Sequence, residues 1–138
     1  MWLIARSALL GIASGGRSLA APAAVAFGGG SRGLRLATAA AAAGEFVVDK
    51  LPGAPSRLAA APLAGRLVFA GLAAGFLARR EGRDPVAPAL VAAAAAAGGS
   101  VAGARWRAYA QDRHWAALPA ALAEDAVTWT LATTAARR

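Results

Sequence analysis

The chain has 138 residues, enough for one domain. It has no cysteine and a single histidine, His114, which excludes disulfides, thiolate chemistry and a His/Cys metal centre while leaving an oxygen-ligand site open. Hydrophobic residues make up 58% of it and the net charge is +8, an apolar excess over the ~45–50% of soluble domains that is carried largely by alanine.

An alanine core in water would bury little area per residue and be poorly specified. In lipid, the same small residues let helix backbones approach closely. The fifteen basic residues are all Arg except Lys50, and they sit in small groups between apolar stretches. A nucleic-acid binder gathers its basic residues on one face beside aromatics. No nucleic-acid partner is therefore expected. The spacing fits membrane spans joined by basic loops.

Five stretches approach the ~20 residues that a helix needs to cross a bilayer. The first is Leu9 to Phe27, closed by Gly28-Gly29-Gly30. Arg6, the short apolar run and Ala24-Val25-Ala26 have the form of a targeting peptide, but Arg17 interrupts the apolar region and argues against cleavage. The second is Leu34 to Leu51, ended by Pro52 and Pro55. The third, Ala61 to Ala78, is followed by Gly82 and Pro85. The fourth is Val86 to Ala104 and the fifth Ala117 to Ala136, with the polar run Tyr109 to His114 between them. None is strongly hydrophobic, so four or five spans are expected. Arg6, Lys50, Arg57, Arg105, Arg107 and Arg113 would share one side. Arg32, Arg35, Arg79, Arg80, Arg83, Arg137 and Arg138 would share the other, too even a division to orient the chain.

Two segments read G-x-x-x-G-x-R, Gly11 to Arg17 and Gly99 to Arg105, each followed by an Ala-rich helix bearing an acid. They suggest a duplication with inverted halves, the plan of many secondary transporters. Chance in a Gly/Ala/Arg-rich chain explains the same match. Gly11/Gly15, Gly71/Gly75 and Gly99/Gly103 are each four apart, which makes a flat groove for helix packing.

Ionisable groups within apolar stretches cost ~2.5–3.5 kcal/mol at the bilayer centre unless paired or hydrated. Arg17, Glu45, Asp49, Arg66, Glu124 and Asp125 are such groups, and with Lys50 and Arg57 they make a candidate intramembrane polar network. Glu45 and Asp49 share a helix face, so a cation between them or a raised pKa on one of them is expected. Arg17 and Arg66, from neighbouring helices, are the candidate partners. Glu124 and Asp125 are adjacent and cannot both face one neighbour. The network serves either as an ion or proton pathway or as structural ties between helices.

Two enzyme-like strings overlap. Gly28 to Gly33 contains G-x-G-x-x-G ahead of Leu34–Ala43 and Phe46-Val47-Val48-Asp49, mimicking a dinucleotide site. No further βαβ pattern follows, and Tyr109 lacks a Lys four residues on. Gly29 to Gly33 also reads G-x-S-x-G, but a nucleophile elbow needs a downstream acid and His, and His114 lies in a polar run beside Asp112. Trp106, Tyr109 and Trp115 mark Arg105–Trp115 as an interfacial loop, with Trp129 inside the fifth stretch.

The string Glu45-Phe46-Val47-Val48-Asp49-Lys50-Leu51-Pro52-Gly53-Ala54-Pro55-Ser56-Arg57 reads E-x-x-x-D-K-x-P-x-x-x-x-R. It resembles the hallmark of a family of small multi-span membrane proteins classed as a domain of unknown function. Gly16-Arg17-Ser18, Pro62-Leu63 with Arg66, Gly71 to Gly75, Leu118-Pro119 and Ala123-Glu124-Asp125-Ala126 match it more loosely, from about 7 to 134. The resemblance implies an integral membrane bundle and supplies no mechanism.

The expectation is a single all-α integral membrane domain over 1–138, a multi-pass bundle in the cell membrane. The bilayer, and a second copy or a membrane partner, are the expected partners. No catalytic residue, cofactor or metal is expected. The leading function is a passage for an ion or small solute. The alternative is a structural or assembly subunit, and a soluble dinucleotide-binding enzyme is the remote third.

Overall fold

The computed structural model describes residues 2–49, 56 and 58–137, and among these the chain is all-α with no strand. Six helices follow in order: α1 Trp2–Gly16, α2 Ala20–Phe27, α3 Arg32–Val48, α4 Ala60–Arg80, α5 Val86–Asp112 and α6 Ala117–Ala136. Alanine is the best helix former, which accounts for their extent. Proline marks where they begin. Pro22, Pro62, Pro88 and Pro119 each stand third in their helix, within the first turn, where no backbone donor is required. Ser31 starts α3 by accepting the Leu34 N–H at 3.2 Å.

The contacts fix the helix directions. On α1, Arg6 meets Glu81 and Ala135, whereas Ser14 meets Arg66 and Arg17 meets Asp125. So α4 and α6 run opposite to α1. α5 runs with α1, because the space beside Gly11 is filled by Ala92 and Ala95 and that beside Gly15 by Ala96, Gly99 and Ser100. α2 returns towards the Arg6 end, where Gly28 approaches Ala136 and the Arg80 guanidinium donates to the Val25 carbonyl at 3.2 Å. α1 is thus surrounded by α4, α5 and α6. α3 lies outside, against α2, and buries none of its residues.

Several expectations are corrected. The stretch Leu9–Phe27 is not one helix. It begins earlier, at Trp2, breaks at Arg17-Ser18-Leu19, and doubles back as α2. The added reversal makes the two G-x-x-x-G-x-R segments run the same way, so they are not inverted copies. The fourth stretch continues past Ala104 to Asp112, because nothing between them breaks a helix, and Arg105–Asp112 is helix rather than loop. The G-x-G-x-x-G string joins two helices with no strand before it, and Ser31 within it is a helix cap, so neither the dinucleotide site nor the nucleophile elbow is formed. The end of the second stretch at Leu51, and the candidates Lys50 and Arg57, lie outside the described residues.

The core is alanine. Among the described residues twenty apolar ones are buried, and of these only Leu10, Val25 and Leu77 are not Ala. Most large apolar side chains point outward instead: among the described residues twenty-three are exposed, including Trp2, Leu36, Leu72, Leu90, Leu118 and Val127. Two helices among the described residues, α4 and α5, are long and apolar enough to cross a membrane by length and composition.

Candidate functional site

The break between α1 and α2 collects most of the internal charge. Gly15 and Gly16 close α1, and Arg17 still donates its backbone N–H to Ala13 at 2.9 Å. The chain then turns, and α2 opens at Ala20 without a side-chain cap from Leu19. A helix start leaves backbone donors unsatisfied. Here Glu45, from α3, supplies the missing acceptor: its carboxylate takes the Ser18 N–H at 2.7 Å and the Leu19 N–H at 3.0 Å. The negative charge also lies at the positive end of the α2 dipole.

Arg17 lies beside this cap and is 5% exposed. Its Nε and Nη2 donate to the two oxygens of Asp125 on α6, at 2.6 and 2.9 Å. This is the bidentate geometry that a planar guanidinium favours. Its Nη1 donates to Asp49 at 3.3 Å, and the Phe46 ring lies 5.0 Å beneath its central carbon. One side chain therefore joins the break to α6 and to the end of α3. Ser14 completes the turn, its hydroxyl reaching the carbonyls of Ser18 at 2.9 Å and Arg66 at 3.3 Å.

The structure brings Arg17, Glu45, Asp49 and Asp125 together as a single cluster. Arg66 is buried on α4, and its backbone joins that cluster through Ser14. Glu124 does not join it. One position back on α6, it turns towards α5 and accepts from Arg107 Nε at 3.0 Å. The reason is helical geometry: adjacent residues diverge by about 100°.

Sequence reasoning missed a second tie at the opposite end. Arg6, 4% exposed, donates Nε to the Ala135 carbonyl at 2.7 Å and pairs with Glu81 after α4. Arg6 read only as a flanking charge and Glu81 drew no reading, and the return of α4 beside α1 is what makes them neighbours. Ser100 was also missed: its hydroxyl bonds Ala96 and reaches the Gly15 carbonyl, at 2.9 and 3.4 Å. A serine inside an apolar helix is the signal that would have found it.

The glycine pairs divide. Gly11, Gly15 and Gly99 lie where α1 and α5 touch, and a Cβ at Gly15 would stand 2.6 Å from the Ala96 carbonyl oxygen. Gly71 and Gly75 face Ala89 and Pro85 across ordinary contact distances. Gly103 lines an apolar cleft between α5 and α6. No protein-family model, curated protein or solved structure matches the chain.

Proposed function

We propose that this chain is a multi-pass membrane protein of the structural or assembly kind, whose internal charges hold its own helices together. The outward distribution of its large apolar side chains, around a core of alanine, carries this reading. In water such a surface would be an aggregation hazard. In lipid it is the natural arrangement, since tails solvate Leu and Phe while small residues allow close helix contact. The charges respect the same frame. The apolar part of α5, Val86 to Ala104, is about 28 Å long, close to the ~30 Å of a hydrocarbon core. Gly15 faces Ala96 to Ser100 of α5, which keeps the charged break that follows it within the span of that apolar stretch. A charge at that depth has to be satisfied within the protein, and each side chain of the cluster has a partner. The resemblance of the Glu45–Arg57 string to a membrane family supports the same location, the cell membrane.

The cluster also favours structure over passage. Glu45 is engaged by two backbone donors and Asp125 by a bidentate arginine. An ion would have to displace these partners. Carbonate extraction of membranes should leave the protein in the pellet; release into the supernatant would overturn the membrane reading. In liposomes, neither wild type nor Glu45→Gln should pass protons or a panel of ions. Flux in wild type that Glu45→Gln abolishes would restore the passage. Purification in mild detergent should retain a defined oligomer or a membrane partner, and a lone monomer would count against the assembly role.

A further inference from the structure

α5 and α6 leave a gap beside Ile12 and Gly16 of α1. A largely apolar cleft of about 300 Å³ lies between them, walled by Ala102, Gly103 and Trp106 on one side and Ala123, Val127 and Leu131 on the other, with Glu124 and Thr128 as its polar members. A second cleft of about 290 Å³ adjoins it, and Trp106 and Ala123 line both. Together they follow α6 from Leu131 to Pro119, roughly 18 Å of helix. The lining of both clefts is almost wholly apolar, which suits an acyl chain.

The end of the seam has a different chemistry. Arg107 donates only its Nε to Glu124, and its side chain is 41% exposed. Trp106 is fixed by its indole N–H on the Ala120 carbonyl at 3.0 Å. It stacks with Tyr109 and meets Trp115 edge-on, with centroids 6.4 and 5.7 Å away. Arg113 lies over the Tyr109 ring at 5.1 Å. Of the two acids at this end, Glu124 is held by Arg107 and Asp112 is exposed, while Arg105 adds a further positive charge. An apolar slot leading to tryptophans and arginines has the layering of a lipid, from tail to charged headgroup.

We propose that this seam holds one anionic phospholipid, its acyl chain in the α5–α6 cleft and its phosphate at Arg107 and Arg113. The proposal rests on the membrane reading above. It makes the gap between α5 and α6 a filled part of the bundle rather than a packing defect.

The test uses the full chain with Trp2→Phe and Trp129→Phe, so that Trp106 and Trp115 alone report. The protein is reconstituted in phosphatidylcholine vesicles containing a minor fraction of brominated-chain phosphatidylglycerol or brominated-chain phosphatidylcholine. Flotation with the vesicles is scored first; failure to float ends the membrane reading, and the lipid site with it. In floating protein, phosphatidylglycerol should quench with about thirtyfold higher apparent affinity, the effect of ~1 kcal/mol at each of the two arginines. Arg107→Gln with Arg113→Gln should abolish that preference. Ala123→Phe, which fills the cleft, should lower quenching by both lipids without altering flotation. Equal quenching by the two lipids in wild type, or a preference that survives the double substitution, overturns the proposal. The chain has no cysteine. Efficient cross-linking of Ala123→Cys between copies, with quenching by neither lipid, would give the seam to a second copy instead.

Discussion

α5 receives a glycine-bearing helix on each of two sides, and only one of them needs its glycines. Against α1 the backbones nearly touch: a Cβ at Gly15 would lie 2.6 Å from Ser100 N, and one at Gly99 2.6 Å from the Ile12 carbonyl oxygen. Against α4 the nearest atom to a Cβ at Gly71 would be 3.5 Å away, and to one at Gly75 3.6 Å. The Gly-x-x-x-Gly spacing is the same on both sides. What differs is the constraint on the partner helix. α1 is fixed at both ends, by Arg6 on Ala135 and Glu81 and by Arg17 on Asp125 and Asp49, so it is held at a depth only glycine permits.

The largest effect is expected from releasing that constraint. Arg17→Met would leave Asp125, partly buried, without the guanidinium that holds both its oxygens. Breaking such a pair from one side costs on the order of 3–5 kcal/mol. Unfolding by sodium dodecyl sulfate in mixed micelles, followed by tryptophan fluorescence, would measure it. A loss under about 1 kcal/mol would mean that the cluster is hydrated and does not hold α1.

Next comes Gly15→Ala, which forces a methyl group against the backbone of α5. Overpacking of this kind costs about 1–3 kcal/mol. If Arg17 holds α1 in place, the two substitutions must couple: with Arg17→Met present, α1 is free to shift and Gly15→Ala should cost less. A double-mutant cycle reads this directly. Strict additivity would show that the contact with α5, not the charged break, sets the depth of α1.

Much of this was legible in the sequence, and the rest was not for physical reasons. Charge inside an apolar stretch identified Arg17, Glu45, Asp49 and Asp125, because the cost of burying an ion does not depend on the fold. Their roles did depend on it. Glu45 caps a helix that begins 25 residues earlier, at Ala20, a relation only tertiary structure creates. The break itself had a local signal, Pro22, which fits the first turn of a new helix and not the interior of an old one. Averaging hydropathy over Leu9–Phe27 hid it. The choice between Glu124 and Asp125 depended on how α6 is rotated. The depth of the glycine contacts could not be read from spacing at all, because it reflects what lies on the facing helix.

The looser side supplies a smaller, opposite prediction. Gly71→Ala places its methyl group at ordinary contact distance from Ala89 and replaces a helix-interior glycine. It should therefore stabilise by up to ~1 kcal/mol. A destabilisation comparable to that of Gly15→Ala would show that α4 approaches α5 as closely as α1 does.

The smallest effect lies where α4 and α5 end, and it repeats the comparison in the backbone. Both helices close with the same pairing: Arg83 N–H to the Ala78 carbonyl after α4, and Trp115 N–H to the Ala110 carbonyl after α5, each at 2.9 Å. The residue before each donor is left-handed, Gly82 at φ 67° and His114 at φ 55°. Glycine adopts that conformation without penalty, whereas a side chain is strained there. His114→Gly should relieve this strain by about 0.5–1 kcal/mol, offset in part by the greater freedom of glycine when unfolded. Gly82→Ala should lose a similar amount. Since nothing stands within 4 Å of a Cβ at Gly82, its loss would measure backbone strain alone. If His114→Gly instead destabilised the protein, the His114 side chain would have a role that its exposed position between α5 and α6 conceals.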